Sequence, residues 1–177
     1  GVLFCSGVDF FLDAGVRRPA REINSIVLHY TVFPVTPQAL VRIFEDRQVG
    51  YHLLVGRDGS VTQFVRVGDR AAHVGRGGEI GGIFVNNSTS IGISFDNMGK
   101  LNFVENRYVI PGLRAPVAPR GEPVEVDGVL WEPYTDEQLD AGRRLIAALH
   151  DEYGDLPVFG HSDLPGFKDD PGPLLSL

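Results

Sequence analysis

The chain has 177 residues, 43% hydrophobic and 22% charged, with a formal net charge of −7. That size and balance suit one globular domain with a single core. An acidic chain with only 16 basic residues lacks the basic stripe a nucleic-acid binder needs for phosphates, and no apolar run approaches the roughly 18 residues that span a bilayer.

In chain order, Gly1-Val2-Leu3-Phe4-Cys5 lacks the basic start of an intact signal peptide, and residues 1–24 read as an N-terminal extension. Cys5 is the single cysteine. It excludes an internal disulfide and a thiolate-rich metal cluster, and reads as a small apolar residue. Ile26-Val27-Leu28 is a short apolar run that predicts a strand buried on both faces, ending at His29-Tyr30-Thr31. Thr36-Pro37 reads as N-cap and first residue of a helix whose apolar stripe is Leu40, Ile43 and Phe44. Residues 51–55 and 61–65 predict a hairpin around Arg57-Asp58-Gly59.

Residues 75–82 read as a glycine-rich loop, and residues 90–95 alternate like a half-buried strand. From 102 to 133 the chain is rich in Pro and Gly, which predicts a surface insertion with a hairpin near 124–131. Thr135-Asp136-Glu137-Gln138 is a capping box opening the best helix, and Gly154 stands where that helix should stop. Val158-Phe159 predicts a last short strand. The expected architecture is a single α/β domain over 1–177: a mixed central sheet flanked by helices, with a metal groove at one side.

Two histidines follow short apolar strands directly, His29 and His161. If those strands are parallel neighbours, both imidazoles emerge at one edge of the sheet. Asp170 follows nine residues after His161, at the head of Asp170-Pro171-Gly172-Pro173, whose two prolines restrict the backbone. Two histidines and a carboxylate suit a tetrahedral zinc with one position left for water. By themselves these residues weigh evenly between a metal site and hydrogen-bonded structural roles.

Further motifs carry a resemblance. Val27-Leu28-His29-Tyr30-Thr31, Gly50-Tyr51-His52-Leu53-Leu54-Val55, Ala72-His73-Val74-Gly75, Ser90-Ile91-Gly92-Ile93, Gly160-His161-Ser162-Asp163 and Lys168-Asp169-Asp170-Pro171-Gly172-Pro173 occur in one order. The series resembles the zinc-dependent N-acetylmuramoyl-L-alanine amidases, which include phage lysozyme-type amidases and peptidoglycan recognition proteins. The resemblance spans about 26–173, with 102–133 poorly matched. It implies Zn²⁺ held by His29, His161 and Asp170, with Tyr51 and Lys168 beside the metal as catalytic groups. Lys168 would hydrogen-bond the oxyanion formed when water adds to the lactyl carbonyl, and Tyr51 would orient the water or share that task. It implies peptidoglycan or a muropeptide as substrate, and an extracytoplasmic location ahead of phage-encoded lysis or cytoplasmic recycling. Oligomeric state is open.

One position departs from the pattern. Many relatives carry a glutamate, thought to act as general base, where this chain has Ser94, and serine cannot take a proton from water at neutral pH. Asp96, two residues on along the same strand face, is a possible substitute, weighed against a solvated turn carboxylate. The rival reading is a peptidoglycan-binding module that does not cut. His52 reads as a buried structural histidine, since alternation with Tyr51 lets only one of them face the metal. His73 is balanced between a groove contact and a plain loop histidine, and His150 reads as a partner of its helix dipole. Trp131 and Tyr134 read as packing of the insertion more than as groove walls.

Overall fold

The computed structural model describes residues 9–12, 22–113 and 115–177, so Cys5 and most of the N-terminal extension lie outside the described residues. The elements are β1 (Phe10–Phe11), β2 (Ser25–Tyr30), α1 (Pro37–Arg47), β3 (Leu53–Val55), β4 (Val61–Gln63), β5 (Gly78–Ile80), β6 (Ile83–Val85), β7 (Ser90–Phe95), β8 (Lys100–Val104), β9 (Arg107–Val109), β10 (Pro116–Val117), β11 (Val124–Val126), β12 (Val129–Trp131), α2 (Asp136–Tyr153) and β13 (Val158–Gly160). A 3-10 turn, His161–Asp163, follows.

Six strands form the expected mixed central sheet, in the order β1-β4-β3-β7-β2-β13. Strands β3, β7, β2 and β13 run parallel, while β4 returns antiparallel to β3. Parallel strands need cover on both faces, which explains their unbroken apolar runs. Ile26, Leu28, Leu53, Val55, Ile91, Ile93 and Phe95 pack beneath Ala141, Leu145 and Leu149 of α2. Leu145 and Leu149, at 1% and 0% exposure, each contribute about 2 kcal/mol relative to an exposed side chain. On the opposite face Leu54 meets Leu40 and Phe44 of α1, and Val27 meets Val74, Val85 and Leu164.

Local chemistry sets the helix ends. The Thr36 hydroxyl accepts from Ala39 N–H at 3.2 Å, with Pro37 at the first helical position. Thr135 and Gln138 form the expected capping box, and Gly154 ends α2 at φ 85°, a region that favours glycine. The Gln138 amide also donates to the Asp96 carbonyl at 3.2 Å, tying α2 to the sheet.

Two regions are more regular than expected. Residues 75–82 contain β5, which pairs antiparallel with β6 across Gly81-Gly82 at φ 56° and 83°. Residues 102–133 fall in a five-stranded antiparallel sheet, β10-β9-β8-β12-β11, that includes the anticipated hairpin across Asp127-Gly128. Its β8–β9 turn, Glu105-Asn106, has positive φ at both residues, the twist that tight hairpins prefer. Strands of two to five residues are too short to show periodicity.

Register decides where the site lies. In β2, alternation puts His29 on the Val27 face, away from α2. Strand β13 pairs parallel with β2 so that Gly160 lies opposite Leu28. His161, the next residue, therefore leaves the sheet level with His29.

Candidate metal centre

Three side chains converge at this edge. Asp170 Oδ2 lies 2.8 Å from His29 Nδ1 and 3.1 Å from His161 Nδ1. One donor atom from each residue falls within 4.8 Å of the other two. The two rings meet edge to face, with centroids 4.7 Å apart.

The Asp170 loop is held by its neighbours. Its carbonyl accepts from Ser162 N–H at 2.8 Å, and the Tyr134 hydroxyl donates to the Pro171 carbonyl at 2.7 Å. The Asp170–Pro171 peptide is cis. Asp169 is fixed by the Tyr30 hydroxyl at 2.7 Å and by Lys100 at 3.0 Å. Gly172 must lack a side chain, since a Cβ there would lie 2.7 Å from the Trp131 ring. Trp131 and Lys100 thus buttress the Asp170 loop from outside, and Trp131 and Tyr134 pack as the sequence suggested.

Burial and charge oppose one another here. Burial works to raise the Asp170 carboxyl, but hydrogen bonds from His161 and His29 and their charge hold it well below the usual carboxylate range. Burial lowers His29 despite its Asp170 partner. Two imidazole nitrogens and one carboxylate oxygen within 4.8 Å of one another form a donor set that fits zinc.

His29, Tyr51, His73, His161, Lys168 and Asp170 all line one groove of about 730 Å³, a volume typical of small-ligand sites. Lys168 is exposed, and its charge bears on His29. Tyr51 packs edge to face on Phe44, centroids 5.0 Å apart. Burial raises its hydroxyl, so it stays protonated. The Tyr51 hydroxyl and Ser94 Oγ are both buried without a hydrogen-bond partner of good geometry, although Ser94 lies near enough to act on the tyrosine. No described residue of the five-stranded sheet lines the groove.

Asp96 is not the missing base. Its carboxylate pairs with Arg120 Nη1 at 2.7 Å and lies outside this groove's lining. Arg120 also grips Glu132, through Nε at 3.2 Å and Nη2 at 3.1 Å. A partner 24 residues away in a poorly patterned segment carries no local signal.

The remaining histidines divide sharply. His52 is fully buried. It donates from Nε2 to the Asp69 carbonyl at 2.8 Å and accepts at Nδ1 from Gly92 N–H at 2.9 Å, a structural histidine as expected. Of the two neighbours only Tyr51 lines the groove, as alternation suggested, although both precede β3, which begins at Leu53. His150 donates to the Leu156 carbonyl at 2.8 Å, closing the turn after α2. His73 goes beyond either reading of it, because its Nδ1 lies 3.0 Å from His29 Nε2.

The fold has counterparts among solved structures. An endolysin N-acetylmuramoyl-L-alanine amidase from Clostridium intestinale aligns over 94% of this chain and 90% of its own, with 19% identity and a TM-score of 0.58. AmpD aligns over 99% of this chain and 93% of its own, at 19% identity and TM-score 0.64. The amidase AmiD from E. coli, at 25% identity and TM-score 0.65, aligns over 89% of this chain and 55% of its own. No curated protein sequence matches the chain. The sequence model described as N-acetylmuramoyl-L-alanine amidase matches residues 19–173. The chain therefore belongs to the N-acetylmuramoyl-L-alanine amidase family, enzymes that hydrolyse the bond between the glycan and the stem peptide of peptidoglycan.

Proposed function

We propose that the chain is a zinc amidase in which His29, His161 and Asp170 hold the metal while Lys168 and Tyr51 serve the reacting amide. The observation that carries this reading is the approach of the three donor atoms to within 4.8 Å of one another. When bound, zinc supplies Lewis acidity, which makes water nucleophilic near neutral pH and draws charge from a carbonyl. AmiD forms a complex with anhydro-N-acetylmuramic acid-L-Ala-D-γ-Glu-L-Lys, which supports a muropeptide or peptidoglycan strand as the occupant of the groove.

The protein's own groups have separate tasks. The Lys168 ammonium donates to the lactyl carbonyl oxygen as negative charge develops there. Tyr51, kept protonated by burial, donates and does not accept a proton. Ser94 cannot act as a base either, so its hydroxyl is limited to supporting Tyr51. Water supplies a hydroxyl to the lactyl carbon and a proton to the departing alanine nitrogen. Since the substrate is the cell wall, we place the enzyme outside the cytoplasmic membrane. Among the described residues, no helix is long and apolar enough to cross a membrane.

Ser94 favours a second reading, a module that holds muropeptides without cutting. Amine release from purified peptidoglycan, measured as isolated, after chelation and after zinc is restored, separates the two. New L-alanine N-termini that vanish with chelation and return with zinc are expected. Binding without release, with zinc present, would establish the module instead.

A further inference from the structure

His73 makes contacts that neither ligation nor substrate binding requires. Its Nε2 lies 3.3 Å from the Ser90 carbonyl, which can only accept, and 3.2 Å from Ser90 Oγ. That hydroxyl spends its own proton on the Asn86 carbonyl at 2.7 Å. Both neighbours are therefore acceptors, and the His73 proton belongs on Nε2. Nδ1 is then a lone pair, and the 3.0 Å contact with His29 Nε2 is a hydrogen bond donated by His29. With Nε2 committed to His73, Nδ1, which faces Asp170 at 2.8 Å, is the nitrogen that would ligate a metal once the cation takes the place of the proton shared with that carboxylate.

The rest of the fold holds His73 in this place. Its backbone N–H and that of Val74 both donate to Asn87 Oδ1 at 2.9 Å. In β7, Gly92 leaves the space the ring occupies: a Cβ there would lie 2.7 Å from His73 Cγ and Nδ1. Glycine is a poor strand residue on propensity, so the close approach accounts for it.

We propose that His73 is a positioning residue for the metal site: it locks His29 in the Nε2-protonated form and aims its Nδ1 lone pair at the metal. The inference rests on the ligand assignment made above. Ligating histidines usually donate their second ring N–H to a carboxylate, carbonyl or water, and loss of that partner weakens metal binding by about 10–100-fold. Here another imidazole takes the role, itself oriented by the Ser90 carbonyl.

The test measures zinc affinity by chelator competition, without substrate. His73→Ala is expected to bind zinc about 10–100-fold more weakly while melting as a folded protein. His73→Asn, whose Oδ1 can accept where Nδ1 did, should recover most of the loss. Gly92→Ala, which removes no polar group, should weaken zinc binding by pressing on the ring. Long-range ¹H–¹⁵N NMR of the unmodified zinc-loaded protein should show the remaining His29 proton on Nε2, a reading that needs no variant to fold. Unchanged zinc affinity in folded His73→Ala, or a His29 proton on Nδ1 in the zinc-loaded protein, would overturn the proposal. His161→Ala separates the two levels. If it loses zinc while His73→Ala does not, the ligand set survives and only the positioning role fails. If it binds zinc like the parent protein, both fail.

Discussion

The Arg120 cluster and the histidine groove are both assembled from acids and bases, yet their donors and acceptors are arranged in opposite ways. Glu132, whose side chain is fully buried, receives Arg120 N–H at 2.8 Å and Met98 N–H at 2.6 Å besides the Arg120 guanidinium. Asp96 takes the remaining arm of that guanidinium. Every strong acceptor there meets a donor. In the groove, Asp170 Oδ2 faces two imidazole nitrogens, and all three atoms become acceptors of a cation once the protons between them leave. A closed cluster holds a fold together, whereas converging acceptors are suited to a cation. Residue composition does not separate the two; the direction of the donors does.

Perturbing each cluster should therefore give opposite results. The largest effect is expected from His161→Ala, which should abolish zinc binding and turnover with little change in melting temperature. Metal analysis and amine release check this, and full activity in a metal-free variant would end the zinc reading. Lys168→Ala should keep zinc and lower turnover by roughly 10²–10³-fold, as for loss of an oxyanion donor. Unchanged kcat would remove Lys168 from the mechanism.

Glu132→Ala should do the reverse. It strips a buried partner from Arg120 and Met98 N–H, which costs about 3 kcal/mol, while turnover of the folded fraction stays normal. Urea unfolding alongside an activity assay would show whether the cluster is structural in this sense.

Acid should distinguish the clusters in a single protein. Burial lowers His52 to about 4, against about 6.5 in an unfolded chain. Between those values the unfolded chain binds a proton that the folded one refuses. His52 therefore makes stability fall as pH drops from about 6.5 to about 4, by up to about 3 kcal/mol. His29 and His73, also lowered by burial, act in the same direction when zinc is absent. Burial alone would raise Glu132, but Arg120 outweighs it and keeps it below its ordinary range, so its loss comes at lower pH. Urea midpoints of zinc-free protein at pH 7.5 and 4.5 should differ clearly; equal midpoints would mean these rings are not buried and neutral.

Much of the site could be read from the chain because its first determinants are local. A short apolar run that ends in histidine states both that a strand is buried and where its polar end emerges. The helix caps at Thr36 and Thr135 are likewise written within three or four residues of themselves. The five-stranded sheet was harder to read, since its turns and two-to-five-residue strands resemble irregular Pro/Gly-rich loop. Tyr51 and Lys168 reached the groove through family resemblance, not through any pattern of their own.

By itself, then, the sequence determined the two strand-end histidines, the Asp170 loop, the N-caps of both helices, the glycine stop of the second and the family. Only the tertiary structure decided that β13 lies beside β2 in the register that levels His161 with His29. It alone paired Asp96 with Arg120 and set His73, 44 residues away in sequence, against the second nitrogen of His29. The reason is physical: caps and strand patterns are satisfied by near neighbours, whereas the tautomer of a buried imidazole depends on whichever donor or acceptor the packed chain brings to its far side.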